Sequence, residues 1–319
     1  MTSLMKTVEQ AMFVLLTAAA LAAANMTMPL PGTVNYVEGQ ATLNGESLLE
    51  SSVGSAAIEA NQVLDTTQGK VELLLSPGVF LRLGDDSELR LVSAEATGIA
   101  LELVKGEAIL EVGQLSKGVQ LSILMDGGTA NITKPGLYVF GAEERSIGAP
   151  AGEADVYQGK AHLTLKSGHA VLLLSGQPLK SRNLDMAAME NDPLFIWSAN
   201  RSQYLAQGAI QAGQAMAAGG SPYAAEWFWD SFLDCFAFLP GGGFLYSPFG
   251  WGFYAGGTVV IAPHKIHFPL PIRKPKPKPQ ARSRSASSAK PARSGGGGGH
   301  MGGGHVGGGG GHMGGGGRR

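Results

Sequence analysis

The chain has 319 residues, 44% of them hydrophobic, with 48 glycines concentrated toward the C-terminus; a real core is available, but the two ends are not ordinary globular sequence. The formal net charge of −1 conceals an asymmetry, because all 25 acidic residues lie at or before Asp234 while 11 of the 24 Lys and Arg lie at Lys265 or later. An acidic body thus carries a basic tail suited to anionic partners, and a single cysteine, Cys235, excludes an intramolecular disulfide.

Residues 11–24 form an apolar run that follows Lys6 and ends in Ala22-Ala23-Ala24. It is shorter than the roughly 20 residues a membrane span needs, and its small-x-small end matches a cleavage site, so residues 1–24 read as a signal peptide or, alternatively, an N-terminal anchor. Export to the periplasm, outer envelope or extracellular space is the expected localisation.

Three stretches, Val37–Leu43, Val104–Leu110 and Tyr157–Leu163, share one pattern: a large residue, a polar residue, Gly, a polar residue, then Ala-x-Leu. Thr67–Leu73 is a looser fourth copy. Gly supplies a bend or bulge at strand entry, and the alternating positions send one side chain inward and the next outward. The glycine spacings of 30, 37 and 53 residues are too uneven for a propeller or helical-repeat array.

Across residues 33–185 the same alternation recurs. Val71, Leu73 and Leu75 alternate with Glu72 and Leu74, and Val79, Leu81 and Leu83 with Phe80 and Arg82, which predicts half-buried strands. Turns fall at Pro77-Gly78, Gly84-Asp85-Asp86, Asp126-Gly127-Gly128, Pro135-Gly136 and Ser167-Gly168. No helical pattern intervenes, so the expected fold class is all-β, a solenoid-like or sandwich-like stack of short strands around one core. In that core Leu43, Leu73, Leu110 and Leu163 should share one apolar interior.

Residues 192–219 read as the one accessory α-helix: Asp192 is a cap, Pro193 suits the first helical position and Gly219-Gly220 end it. Its stripe is Trp197, Tyr204, Gly208, Ala212 and Met216, which predicts a helix docked on a sheet, with a ligand groove as the sharper option. Residues 220–268 form an aromatic, Pro/Gly-rich accessory region. A clasp packed on the β domain is the first expectation, and an exposed platform for sugar rings or a partner chain, built on Trp227, Trp229 and Trp251, is the alternative. Cys235, between Asp234 and Phe236, reads as a small buried hydrophobe with no cationic neighbour in sequence to lower its pKa.

Residues 269–319 lack globular signal. The Pro-Lys alternation of 269–279 predicts an extended polyproline-like rod, residues 281–294 a linker, and the Gly-rich end cannot bury enough surface to fold. His300, His305 and His312 are weak candidate metal ligands, irregularly spaced on an unorganised chain, so no metal or other cofactor is expected. The basic residues carry no interleaved aromatics, which disfavours nucleic acid; contact with a membrane or cell-wall surface, an anionic or polysaccharide polymer, or an envelope protein fits better.

Catalytic signatures are missing: there is no Gly-x-Ser-x-Gly, His-Glu-x-x-His, Cys-x-x-Cys or P-loop. His162, with Asp155 nearby in sequence, falls on the polar side of its strand and reads as a solvated histidine. Asp85 and Asp86 read as turn residues.

Val63–Leu83, followed by Ser87–Leu91, resembles the FecR domain, and Leu103–Ala108, Lys134–Tyr138 and Val156–Ala161 continue the match in order. The aromatic block with Tyr246-Ser247-Pro248-Phe249-Gly250-Trp251 is similar to the C-terminal region of exported FecR-domain proteins of acidobacterial type. The resemblance implies a β-rich extracytoplasmic domain that receives and passes on a signal, without catalytic or ligand residues to carry over. No helical anti-sigma region precedes the apolar run, so envelope-associated sensing or protein interaction is the expected function, not enzymatic activity. A polysaccharide-binding or envelope scaffold module is the alternative.

Overall fold

A computed structural model describes residues 28–95, 97–219, 226–241 and 244–254. The chain divides into two compact units, Met1–Ile272 and Arg273–Arg319, and every described residue belongs to the first. The signal-peptide reading of residues 1–24, the rod and linker, and the His300–His312 cluster lie outside the described residues.

The β domain is built from β1 (Thr33–Leu43), β2 (Glu46–Ser47), β3 (Val63–Ser76), β4 (Val79–Leu83), β5 (Glu88–Glu95), β6 (Gly98–Lys105), β7 (Glu107–Val112), β8 (Gln120–Met125), β9 (Gly128–Ile132), β10 (Gly136–Gly141), β11 (Ser146–Ala151), β12 (Glu153–Gln158), β13 (Ala161–Lys166), β14 (His169–Leu172) and β15 (Ser181–Asn183). They form one sheet that curls into a nearly closed barrel. Its spine is β3. One half of that strand, Val71–Ser76, pairs with β4, and the other, Val63–Asp65, pairs with β5. Two wings therefore leave the same edge of β3: β4-β7-β10-β11-β14-β15 and β5-β6-β8-β9-β12-β13. From β5 onward the chain alternates between the wings, and its only parallel pairing among the described strands is β6 with β8.

Both wings contribute to one apolar interior, which is why the period-two alternation extends over so many strands. Leu73 and Leu110 are fully buried there, and Leu43 and Leu163 pack against it half-buried. The four glycine-centred stretches share this core without sharing a structural role. Gly39 and Gly69 face each other across β1 and β3 at a bulge, where a Cβ on Gly39 would lie 2.1 Å from the Gln68 carbonyl oxygen. Gly106, with φ +77°, makes the step from β6 in one wing to β7 in the other. Gly159 sits in the open turn between β12 and β13. Similar sequence thus reflects the same local need for a bend, met at three kinds of position.

After the barrel come α1 (Met186–Met189), α2 (Pro193–Gly219), and the hairpins β16 (Glu226–Asp230) with β17 (Cys235–Leu239) and β18 (Phe244–Tyr246) with β19 (Gly252–Tyr254). Asp192 accepts a 2.8 Å hydrogen bond from the Phe195 amide, satisfying a donor that the first turn leaves free. The face of α2 that docks carries Leu194, Phe195, Ser198, Arg201, Ser202, Leu205, Ala206 and Ala209. The stripe drawn through Tyr204 is corrected accordingly, because Tyr204 is 52% exposed and its turn is anchored by Arg201 and Leu205 instead.

Helix and hairpins cover the outer surface of β3, β4, β7 and β10. Leu74 and Phe80 point away from the interior into a second apolar cluster with Leu205, Trp227, Phe238 and Phe253. Ile109 and Leu137 point into a third with Met189, Leu194 and Phe195. The expectation of half-buried strands therefore fails at β4 and at the Val71–Leu75 half of β3, which are buried on both faces. Among the described residues no helix is long and apolar enough to cross a membrane.

Candidate functional site

Between the second and third clusters lies a belt of buried charge. Glu72 on β3 and Arg82 on β4 are cross-strand partners on the outward face, and Glu111 on β7, paired in register with Phe80, reaches Arg82 from the diagonal. Arg82 Nε donates to Glu72 Oε2 at 2.8 Å and its Nη1 to Glu111 Oε2 at 2.6 Å. From the helix above, Arg201 Nη2 donates to Glu72 Oε1 at 2.9 Å, and the Ser202 hydroxyl donates to Glu111 Oε1 at 2.7 Å. Two guanidinium groups thus face two carboxylates, a balance without which desolvation would make burial prohibitive.

Neutral groups frame the belt. Asn35 Nδ2 donates to Glu72 and to the Phe236 carbonyl, both at 2.9 Å, and the Phe236 amide returns a 2.8 Å bond to Asn35 Oδ1. The Arg201 guanidinium lies 4.0 Å over the Tyr36 ring, a cation–π contact. The Ser247 hydroxyl, 3.0 Å from that of Ser202, also accepts from the Phe249 amide and so ties the last hairpin to the same belt. Burial works to raise the Glu72 pKa, but Arg201, Arg82 and the bonds from Arg201 and Asn35 outweigh it and hold the carboxyl at about 2. Arg201 is pushed up against its own burial, chiefly by the Glu72 charge.

These residues escaped the sequence reading, which took Glu72 and Arg82 only as the alternating positions of half-buried strands. Two signals marked them. Leu74 and Phe80 occupy that same face, so it was never uniformly polar, and Arg201 is the only charged side chain of a 27-residue helix. A lone charge on a helix that must dock calls for a partner beneath it.

The aromatic block packs inward. Trp227 is 5% exposed, edge-on to Phe80 at 5.2 Å and to Phe238 at 5.9 Å. Trp229 and Trp251 are half-buried against the same cluster, and Trp251 Nε1 donates to the Ala199 carbonyl of the helix at 3.2 Å. Of the three residues of the platform alternative, Trp227 is thus buried in the cluster, while Trp229 and Trp251 keep part of their surface open. Cys235 is fully buried, and burial pushes its thiol up to about 11. A cation that sequence could not show lies beside it, Arg201 Nη2 at 3.7 Å, too weak an influence to reverse that shift.

His162 is exposed on β13, stacked on Tyr157 with ring centroids 4.7 Å apart and 3.2 Å from Asp155 Oδ1. Thr164 donates to the same oxygen at 2.7 Å and, ahead of His162, holds the Asp155 carboxyl below its usual range. Asp85 and Asp86 sit in the turn after β4, Asp85 paired with Lys70 at 2.7 Å. No group of three or more His, Cys, Asp and Glu side chains converges to hold a metal ion among the described residues.

A groove lies between the outer face of β7 and β10 and the wall formed by α1 and the start of α2. One part has a volume of about 310 Å³ and is floored by Ile109, Val139, Met189, Leu194 and Phe195. It adjoins a second, about 320 Å³, bounded by the Gly84–Asp86 turn and the Lys105–Glu107 crossing. Glu107, Glu144, Asp192 and Leu194 line both parts.

Fold and groove together define a curled, nearly closed β-barrel with a helix and aromatic hairpins latched to its outside. No protein-family model matches the sequence, nor does any curated protein. Two crystal structures of a candidate anti-sigma factor from Parabacteroides distasonis are weakly similar, each with a TM-score of 0.34. They are 13% and 14% identical, over 39% and 38% of this chain and 60% and 58% of theirs. The chain thus spans less than two thirds of either neighbour's length, and a likeness this slight assigns neither family nor activity.

Proposed function

We propose that this chain is a non-enzymatic, FecR-like module of the cell envelope that senses or binds a protein partner. The observation that carries the reading is the groove: an apolar-lined cleft between β7, β10 and the start of a helix fixed by Arg201 to Glu72. Rigid walls around an apolar-lined cleft suit recognition, since a preorganised site loses little entropy on binding. Export agrees with the apolar run of residues 11–24. The polysaccharide alternative rests on the half-buried Trp229 and Trp251, since Trp227 is buried in packing.

A photo-crosslinking residue at Ala188, which lines the groove from α1 and is exposed, tests the reading in intact cells. Crosslinking to one defined protein, lost when the groove is filled by Val139→Trp, is the expected result. Retention on envelope glycan with no protein adduct points to the scaffold alternative instead.

A further inference from the structure

The groove has a charge pattern that its apolar floor does not explain. Asp85, Asp86, Glu107, Glu143, Glu144 and Asp192 line its second part, against one base, Lys105. Some of these carboxylates are engaged: Asp85 with Lys70, Glu143 with the Gly106 amide, Asp192 with the Phe195 amide. Glu107 and Glu144 have no side-chain partner of that kind among the described residues, and both border the apolar part as well. Burial, followed by Asp192, Glu144 and Glu143, pushes the Glu107 carboxyl up, so the cluster is repulsive as it stands.

A single metal ion does not answer this, since no three of these groups converge on one point among the described residues. Charge spread along a cleft with an apolar floor at one end calls for a ligand with spaced cations and an apolar anchor. We infer that the groove docks a cationic peptide segment, its lysines or arginines along Glu107, Glu144 and Asp192 and an aliphatic side chain over the partly open Val139 and Leu184. The inference rests on the protein-interaction reading and names the chemistry of the partner. Complementarity of this kind contributes mainly to specificity and association rate, while the apolar anchor supplies affinity.

The probe is a synthetic peptide with the sequence of residues 269–280, which carries Leu and Ile beside four Lys and Arg. The full-length protein with the photo-crosslinker at Ala188 is irradiated with excess peptide and the adducts are mapped by mass spectrometry. A groove adduct to a Lys/Arg-bearing peptide is expected, reduced at least tenfold by Glu107→Gln with Glu144→Gln and by replacing the peptide's Leu and Ile with Ser. Glu59→Gln with Asp65→Asn, outside the groove, should leave it unchanged. The inference is overturned by absence of such an adduct, by equal labelling with a charge-reversed peptide, or by equal loss in the control variant. A cellular partner captured at Ala188 but lacking any basic segment also overturns it while leaving the interaction reading intact.

Discussion

Glu72 and Arg82 sit directly opposite each other on β3 and β4, joined by a 2.8 Å bond, with neither side chain exposed to solvent. On most antiparallel sheets a Glu–Arg pair in this register decorates a wet face and contributes little. Here the pair forms the seat on which Arg201 lands, so the position and rotation of α2 are set by charge as well as by apolar packing. Orientation is what such a belt can specify that a greasy interface cannot, since an apolar patch tolerates sliding and two carboxylates meeting two guanidinium groups do not.

Removing one member should therefore cost more than the pair is worth. Glu72→Gln leaves Arg82 and Arg201 short of a counter-charge, and a loss of about 3–5 kcal/mol is expected by urea denaturation. The double variant Glu72→Gln with Arg82→Met should be less destabilised than the two single losses combined, by about 0.5–3 kcal/mol. Simple additivity would show that the two side chains do not act together.

Acid should weaken the same latch. The Glu72 carboxyl titrates at about 2 in the folded protein against an ordinary 4.5, so the unfolded chain takes up the proton first as pH falls. The stabilisation is complete above about pH 4.5 and is lost between there and about pH 2, on the order of 3 kcal/mol in all. Wild type and Glu72→Gln, compared by denaturation at stepped pH, should converge through that window. A constant difference between them down to pH 2 would falsify the assignment.

How far the sequence carried the reading depended on whether the signal was local. Alternation at Leu73, Leu81 and Leu110 is written into neighbouring residues, and it located strands and inner core together. The capping pattern at Asp192-Pro193 was equally local. The belt was not, because Glu72, Glu111 and Arg201 meet across separations of 39, 90 and 129 residues, and burial of an outward strand face is decided by what packs on it later in the chain. The groove was hidden for the same reason. Glu107 and Asp192 look like two unrelated acids until the sheet and the helix bring them to one cleft.

The differing roles of the glycines can be separated by one substitution applied at two sites. Gly39→Ala must place a Cβ against the Gln68 carbonyl and also hold φ near +72°, whereas Gly159→Ala, at φ +58°, meets no atom within 4 Å. The second should cost only the left-handed backbone penalty, about 1–2 kcal/mol, and the first clearly more. Equal melting temperatures for the two variants would mean the β1–β3 bulge relaxes around the added methyl.

Replacing Leu110 by Ala removes a fully buried side chain from the core that both wings share, and about 2–5 kcal/mol should be lost. Leu163→Ala, on half-buried β13, should cost less. A larger loss at Leu163 than at Leu110 in the same urea series would place the tightest packing at the wing tips instead of around the β3 spine.

Trp251 decides between clasp and platform. Its ring packs half-buried beside the second cluster, and its indole N–H donates to the Ala199 carbonyl, so Trp251→Ala should loosen the last hairpin from α2. Full burial of a tryptophan makes truncation cost about 3–5 kcal/mol, and partial exposure puts the expected loss at about 2–3. Because the hairpin also reaches the charge belt through Ser247, the loosening should spread to Arg201 and Glu72. Hydrogen exchange at the amides of α2 should then accelerate in the Trp251→Ala protein. If stability and exchange stay at wild-type values while adsorption to an insoluble glycan disappears, Trp251 serves as a binding surface and the clasp reading is wrong.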